Sequence, residues 1–156
     1  MNLRFNFWIL FLLFGTFINV SSVTEVYGAQ DDIVFISHSN AKDSSLTVDQ
    51  VISIYLGRKS KWSDGTSVVP IQFGETNAAT KVLLKDFLDF KPKEYKEYWR
   101  KQLFAGRLLP PVRVQENEEM LKMVSSELGA FGFLAKEDAS EAVIKKSKVK
   151  TIQITK

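Results

Sequence analysis

The residues best placed for chemistry sit where a strand hands over to a helix, in Phe73-Gly74-Glu75-Thr76-Asn77-Ala78-Ala79-Thr80. The chemistry on offer is anion or polar-ligand binding. The first backbone N–H groups of a helix have no partner within it, and the helix dipole turns its positive end toward them. Ala78 contributes backbone alone, whereas Thr76, Asn77 and Thr80 add hydroxyl and amide groups. Any capped helix presents the same set, so a binding loop and an ordinary cap are equal readings of this stretch. Ser37 and Ser39 follow another strand and are expected to line the same sheet edge. His38 between them reads as a plain loop histidine, because no acid or metal-ligand spacing accompanies it.

Catalysis has little to work with. The chain has no cysteine and a single histidine, and no paired carboxylates stand apart from the surface charge. The expectation is a protein that is not an enzyme, with no catalytic residue, no metal and no cofactor.

The elements that must position these groups alternate. Ile33-Val34-Phe35-Ile36 is an apolar run suited to a strand buried on both faces. Thr47 and Gln50 form a capping-box pair ahead of Val48, Val51, Ile52 and Tyr55, which share one helical face, and Gly57 ends that helix. Arg58-Lys59-Ser60-Lys61 then reads as a solvated cap, and Trp62 as a core or shielding aromatic ahead of the Ser63-Asp64-Gly65 turn. A strand over 68–73 contains Pro70, which belongs at an edge or bulge. Thr76 or Asn77 caps the next helix, whose face is Ala79, Val82, Leu83, Phe87 and Phe90. A third helix over 92–104 carries Tyr95, Tyr98, Trp99, Leu103 and Phe104 as a packing face. A short strand at 112–114 leads to a helix capped by Asn117, with Met120, Leu121, Val124 and Leu128 toward the core. The strand at 130–134 contains Gly132, where backbone can approach closely. A short helix and a strand at 149–154 finish the chain. This alternation predicts an α/β fold with a mixed or mostly parallel sheet of about five strands flanked by helices.

Residues 1–28 have the layout of a cleaved secretory signal: Arg4, then an apolar run over 7–18 broken only by Gly15 and Thr16, then small residues near Gly28. That run is shorter than the roughly 20 residues a membrane-spanning helix needs. The expected product is a single domain over 29–156, periplasmic or secreted and not inserted in the membrane after cleavage. Without cysteine, packing alone must hold it together. The net charge is +3 and well mixed. With no concentrated basic face, nucleic acid is not an expected partner.

Taken in order, Ile54-Tyr55-Leu56-Gly57, Trp62, the strand ending at Gly74 and Gly129-Ala130-Phe131-Gly132-Phe133 resemble the periplasmic phosphate-binding proteins of ABC transporters, of the type II periplasmic-binding-protein class. The resemblance covers most of residues 33–135 and implies one lobe of a fold that, in full, closes two lobes on a ligand. Trp99-Arg100-Lys101-Gln102-Leu103 and the segment on to Pro111 look like a hallmark of short, stand-alone members. The family's ligand loop carries an arginine, an aspartate and serine-glycine-threonine. Here the arginine and the serine-glycine-threonine are absent, and Glu75 stands nearby.

Two functions follow. One is a non-enzymatic solute-binding-like protein related to phosphate ABC transport, recognising phosphate or another oxyanion at Thr76, Asn77, Ala78 and Thr80 with Ser37 and Ser39. The other is a single-lobe adaptor that meets a second lobe, a sensor protein or an ABC transporter component. A concave pocket at 76–80 favours the first. An apolar surface around Trp62, Trp99 and Leu108-Leu109-Pro110-Pro111 favours the second.

Overall fold

The computed structural model describes residues 32–156, so the expected leader lies outside the described residues. Ile33 to Ile36 do form a strand, β1 (Ile33–His38), and both of its sides are occupied. It runs antiparallel to β5 (Ala130–Ala135) on one side and to β6 (Val149–Thr151) on the other. β3 (Val69–Phe73) pairs parallel with β5 and with β4 (Val112–Val114). The sheet order is β4-β3-β5-β1-β6, a mixed five-stranded sheet with flanking helices.

Pro70 is accommodated by local geometry. The Val69 N–H donates to Gly129 O at 2.8 Å, so the nitrogen of the next residue faces the β4 side. Pairing with β4 begins only at Ile71, and the missing donor therefore leaves no gap in the ladder. The expected strand at 149–154 splits at Ile152, which is buried and donates to Phe35 O at 2.9 Å. Its second half, β7 (Gln153–Thr155), pairs parallel with β2 (Ser45–Thr47). β2 was hidden in sequence because three residues carry no measurable alternation, and its last one is also a helix cap.

α1 (Val48–Tyr55) starts on the anticipated capping box: Thr47 Oγ1 accepts from the Gln50 N–H at 3.2 Å, and Gln50 Oε1 accepts from the Thr47 N–H at 2.9 Å. It ends at Gly57, where φ is +70°. The Arg58 N–H then reaches Ser53 O and the Gly57 N–H reaches Ile54 O, the bond pair of a Schellman stop. α2 (Ala78–Val82) passes into a π-helical turn, Leu83–Phe87, closed by the Leu88 N–H on Leu83 O. α3 (Pro92–Phe104) begins with Pro92 in its first turn, as expected.

Three expectations are corrected. Asn117 is the first residue of α4 (Asn117–Ser126) rather than its cap; Glu116 takes the cap position without a side-chain bond. Leu128 lies beyond the end of α4 and is 43% exposed, because the helix stops at Ser126 and Glu127 is extended. Leu103 and Phe104, expected on a packing face, are exposed at the last turn of α3.

The core is aromatic. Phe35 stacks on Phe131 with ring centroids 5.4 Å apart, and Phe87, Phe133, Tyr55 and Trp62 meet these rings edge-on or tilted. Gly132 lets α4 lie close on β5, since a β-carbon there would collide with Met120 Sδ and press on Val124. α5 (Glu141–Lys146) packs beside β6 at the far edge.

Candidate functional site

The anticipated ligand loop is well formed but largely self-satisfied. Asn77 is the cap of α2, and its Oδ1 accepts from the Ala79 N–H at 2.8 Å and the Thr80 N–H at 3.4 Å. Those are two of the amides an oxyanion would need. Thr80 is fully buried and its hydroxyl donates to Phe73 O at 3.3 Å. Thr76 and Ala78 are exposed.

Ser37 and Ser39 are not brought to this loop. Ser37 is in register with Phe131, and Phe131 with Pro70, near the start of β3. Thr76 to Thr80 follow the end of β3. The two halves of the expected site therefore lie at opposite ends of the sheet, because β1 runs antiparallel to β5 while β3 runs parallel to it. Ser37 is buried, Ser39 is exposed, and His38 Nδ1 accepts from the Asn40 N–H at 3.0 Å within its own turn.

What the structure does gather lies between α3 and the β3–β4 edge. There a groove of about 390 Å³ is lined by Gln72, Glu75 and Arg113 from the strands and their loops, by Tyr95, Lys96, Trp99, Arg100 and Leu103 from α3, and by Pro110 and Pro111. Helical spacing explains the α3 set: 95, 99 and 103 share one stripe, and 96 and 100 border it. Arg113 donates to Glu75 in an ion pair, which places a guanidinium beside the β3–α2 loop. Lys96 and Arg100 make no ion pair among the described residues.

The floor is a buried polar knot. Gln72 is only 3% exposed. Tyr95 Oη lies 3.1 Å from Tyr55 O and 3.0 Å from Gln72 Oε1, and one hydroxyl proton serves only one of them at a time. With the Gln72 amide turned over, its NH2 donates to Tyr95 Oη while Tyr95 donates to Tyr55 O, and all three groups are satisfied. Burial pushes the Tyr95 hydroxyl pKa up, against a smaller opposing pull from the Trp99 indole N–H. That N–H approaches Tyr95 without reaching hydrogen-bond geometry, and Trp99 Nε1 is buried with no partner. Tyr55, whose hydroxyl donates to Ile71 O at 3.1 Å, is likewise raised well above the usual tyrosine value, first by burial and then by Tyr95.

Sequence reasoning missed this groove because its charged members come from α3 and β4, which no local pattern relates to each other. The recognisable signal was the α3 stripe, read as packing. Trp62 is buried and its indole donates to Gly129 O at 3.0 Å, so it is a core residue. Next to the groove, Leu103 (52% exposed), Phe104 (85%) and Leu109 (80%) turn apolar surface to solvent. Leu103 and Leu109 share the lining of a smaller hollow of about 150 Å³.

No family model matches the chain, and no curated protein matches it. Solved structures do. PstS from Borrelia burgdorferi aligns with a TM-score of 0.63 at 14% identity, over 80% of this chain and 47% of that one. An ABC-type phosphate transport receptor from Vibrio cholerae aligns with a TM-score of 0.59 at 17% identity, over 79% of this chain and 46% of that one. The likeness is one of fold, and it is the fold the sequence resemblance implied. The chain spans less than half the length of these structures.

Proposed function

We propose that this chain is a non-enzymatic binding module that works by docking against a protein partner, as a single-lobe adaptor exported by the leader at 1–28. The observation that carries the reading is the apolar surface of Leu103, Phe104 and Leu109, three large side chains left in water beside a well-packed core. Of the surface expected of an adaptor, around Trp62, Trp99 and Leu108-Leu109-Pro110-Pro111, Leu109 is exposed while Trp62 and Trp99 are buried, so the apolar patch is shifted onto Leu103 and Phe104. Against a high-affinity phosphate site stands Asn77, whose side chain already holds two of the amides that would bind the anion. Glu75 adds negative charge next to them, and Arg113 is engaged in neutralising it. The Vibrio cholerae neighbour is an ABC-type phosphate transport receptor, which supports looking for the partner in a system of that kind. A component of such a transporter, a second lobe or a sensor protein is the partner this reading favours, and phosphate is at most a weak ligand of the α2 N-terminus.

Calorimetric titration of phosphate into the purified protein tests this. No saturable heat is expected up to about 1 mM, where binding would be worth only about 4 kcal/mol. A micromolar Kd restores the receptor reading. For the partner surface, a photo-crosslinking amino acid at position 104 in the source cells should give a discrete adduct, and one at exposed Lys122 should not. No adduct at 104 rejects the adaptor.

A further inference from the structure

We propose that the groove between α3 and β4 is a binding site for a small organic anion: a carboxylate carried on an apolar or aromatic body. This goes beyond the docking role and does not depend on it.

Everything left unsatisfied in this groove is of one kind. Lys96, Arg100 and Arg113 bring three positive charges, and Glu75 neutralises only the last. Trp99 brings its ring as an apolar wall, with the indole N–H closed off from solvent on the side of Tyr95. Two cations that line a groove without an anion beside them call for a partner with negatively charged oxygens. Guanidinium and ammonium groups four residues apart on one helix face present that charge together.

The rest of the lining rejects a fully hydrated ion. Trp99, Leu103, Pro110 and Pro111 form apolar walls around the cations. A site for inorganic phosphate alone has no use for them, while a ring or short acyl body covers them and brings its carboxylate to Lys96 and Arg100. A volume of about 390 Å³ lies at the small end of the range for organic ligands, so one or two fused rings fill it. A flat membrane surface does not enter such a groove. A protein side chain could, but the surface suited to a protein lies at Leu103, Phe104 and Leu109 on its rim.

The test uses 2-naphthoate as probe, with neutral 2-naphthamide and inorganic phosphate as controls, followed by two-dimensional 15N–1H NMR of the purified protein. The Trp99 indole N–H is the reporter and is assigned with Trp99→Phe. Expected are a saturable shift of the Trp99 signal with 2-naphthoate, none of the Trp62 signal, and at least roughly tenfold weaker binding of both controls. Lys96→Ala with Arg100→Ala, both exposed positions, should weaken 2-naphthoate at least roughly tenfold while the rest of the spectrum stays native. Leu103→Asp, which sets a carboxylate against the groove, should do the same. Absence of a saturable shift, equal binding of 2-naphthamide, or undiminished binding by both variants overturns the proposal.

Discussion

Tyr95 ties three elements together through one hydroxyl, with α3 carrying the ring, Tyr55 O at the end of α1 and Gln72 on β3. Burial holds both Tyr55 and Tyr95 neutral above the usual value of 10.0. A folded-state pKa raised in this way stabilises the fold fully below pH 10. Above it the unfolded chain ionises first, and stability falls as pH rises toward the folded-state values. Absorbance at 295 nm at about pH 11 should therefore show Tyr55 and Tyr95 still protonated until denaturant is added. Tyr95→Phe should lose its share of this alkaline slope and cost about 1–2 kcal/mol at neutral pH, read from denaturant unfolding. The sequence placed Tyr95 on an apolar face correctly. The hydroxyl's partners lie 40 and 23 positions away, and no local pattern could have named them.

Elements were legible where their causes are local. The Thr47–Gln50 box, the glycine stop at Gly57 and the proline start of α3 depend on neighbours within a turn or so, and each stands where residue types put it. Orientation of strands is a different matter. The direction of β1 relative to β3 is set by β5, nearly a hundred residues downstream of β1, and that direction sends Ser37 and Ser39 away from Thr76 to Thr80. Close approach at Gly132 was expected of backbone and is made instead by the Met120 and Val124 side chains of α4, which gives a sharp prediction. Gly132→Val should force α4 off β5 at Met120 and Val124 and cost about 1–3 kcal/mol, seen as a lower denaturant midpoint.

Over the whole molecule, the apolar rim of the groove stands apart from the core that holds the fold. Phe104→Ser with Leu109→Ser should change stability by no more than about 0.5 kcal/mol while reducing self-association in salt, measured by denaturation and by sedimentation. A larger loss would make these side chains structural. The position of β1 has a consequence in time. It is the first strand of the sheet to be synthesised, yet its two neighbours are β5 and β6, with Ser37 set against both Phe131 and Lys150. Closing loops of that length is slow, and the outer side of β1 stays unpaired until β6 is made. A chain released before then carries β1 as a bare edge, open to pairing with any other strand it meets. β6 thus closes the edge that β1 would otherwise offer: only a chain translated through β6 covers both sides of the first strand of the sheet.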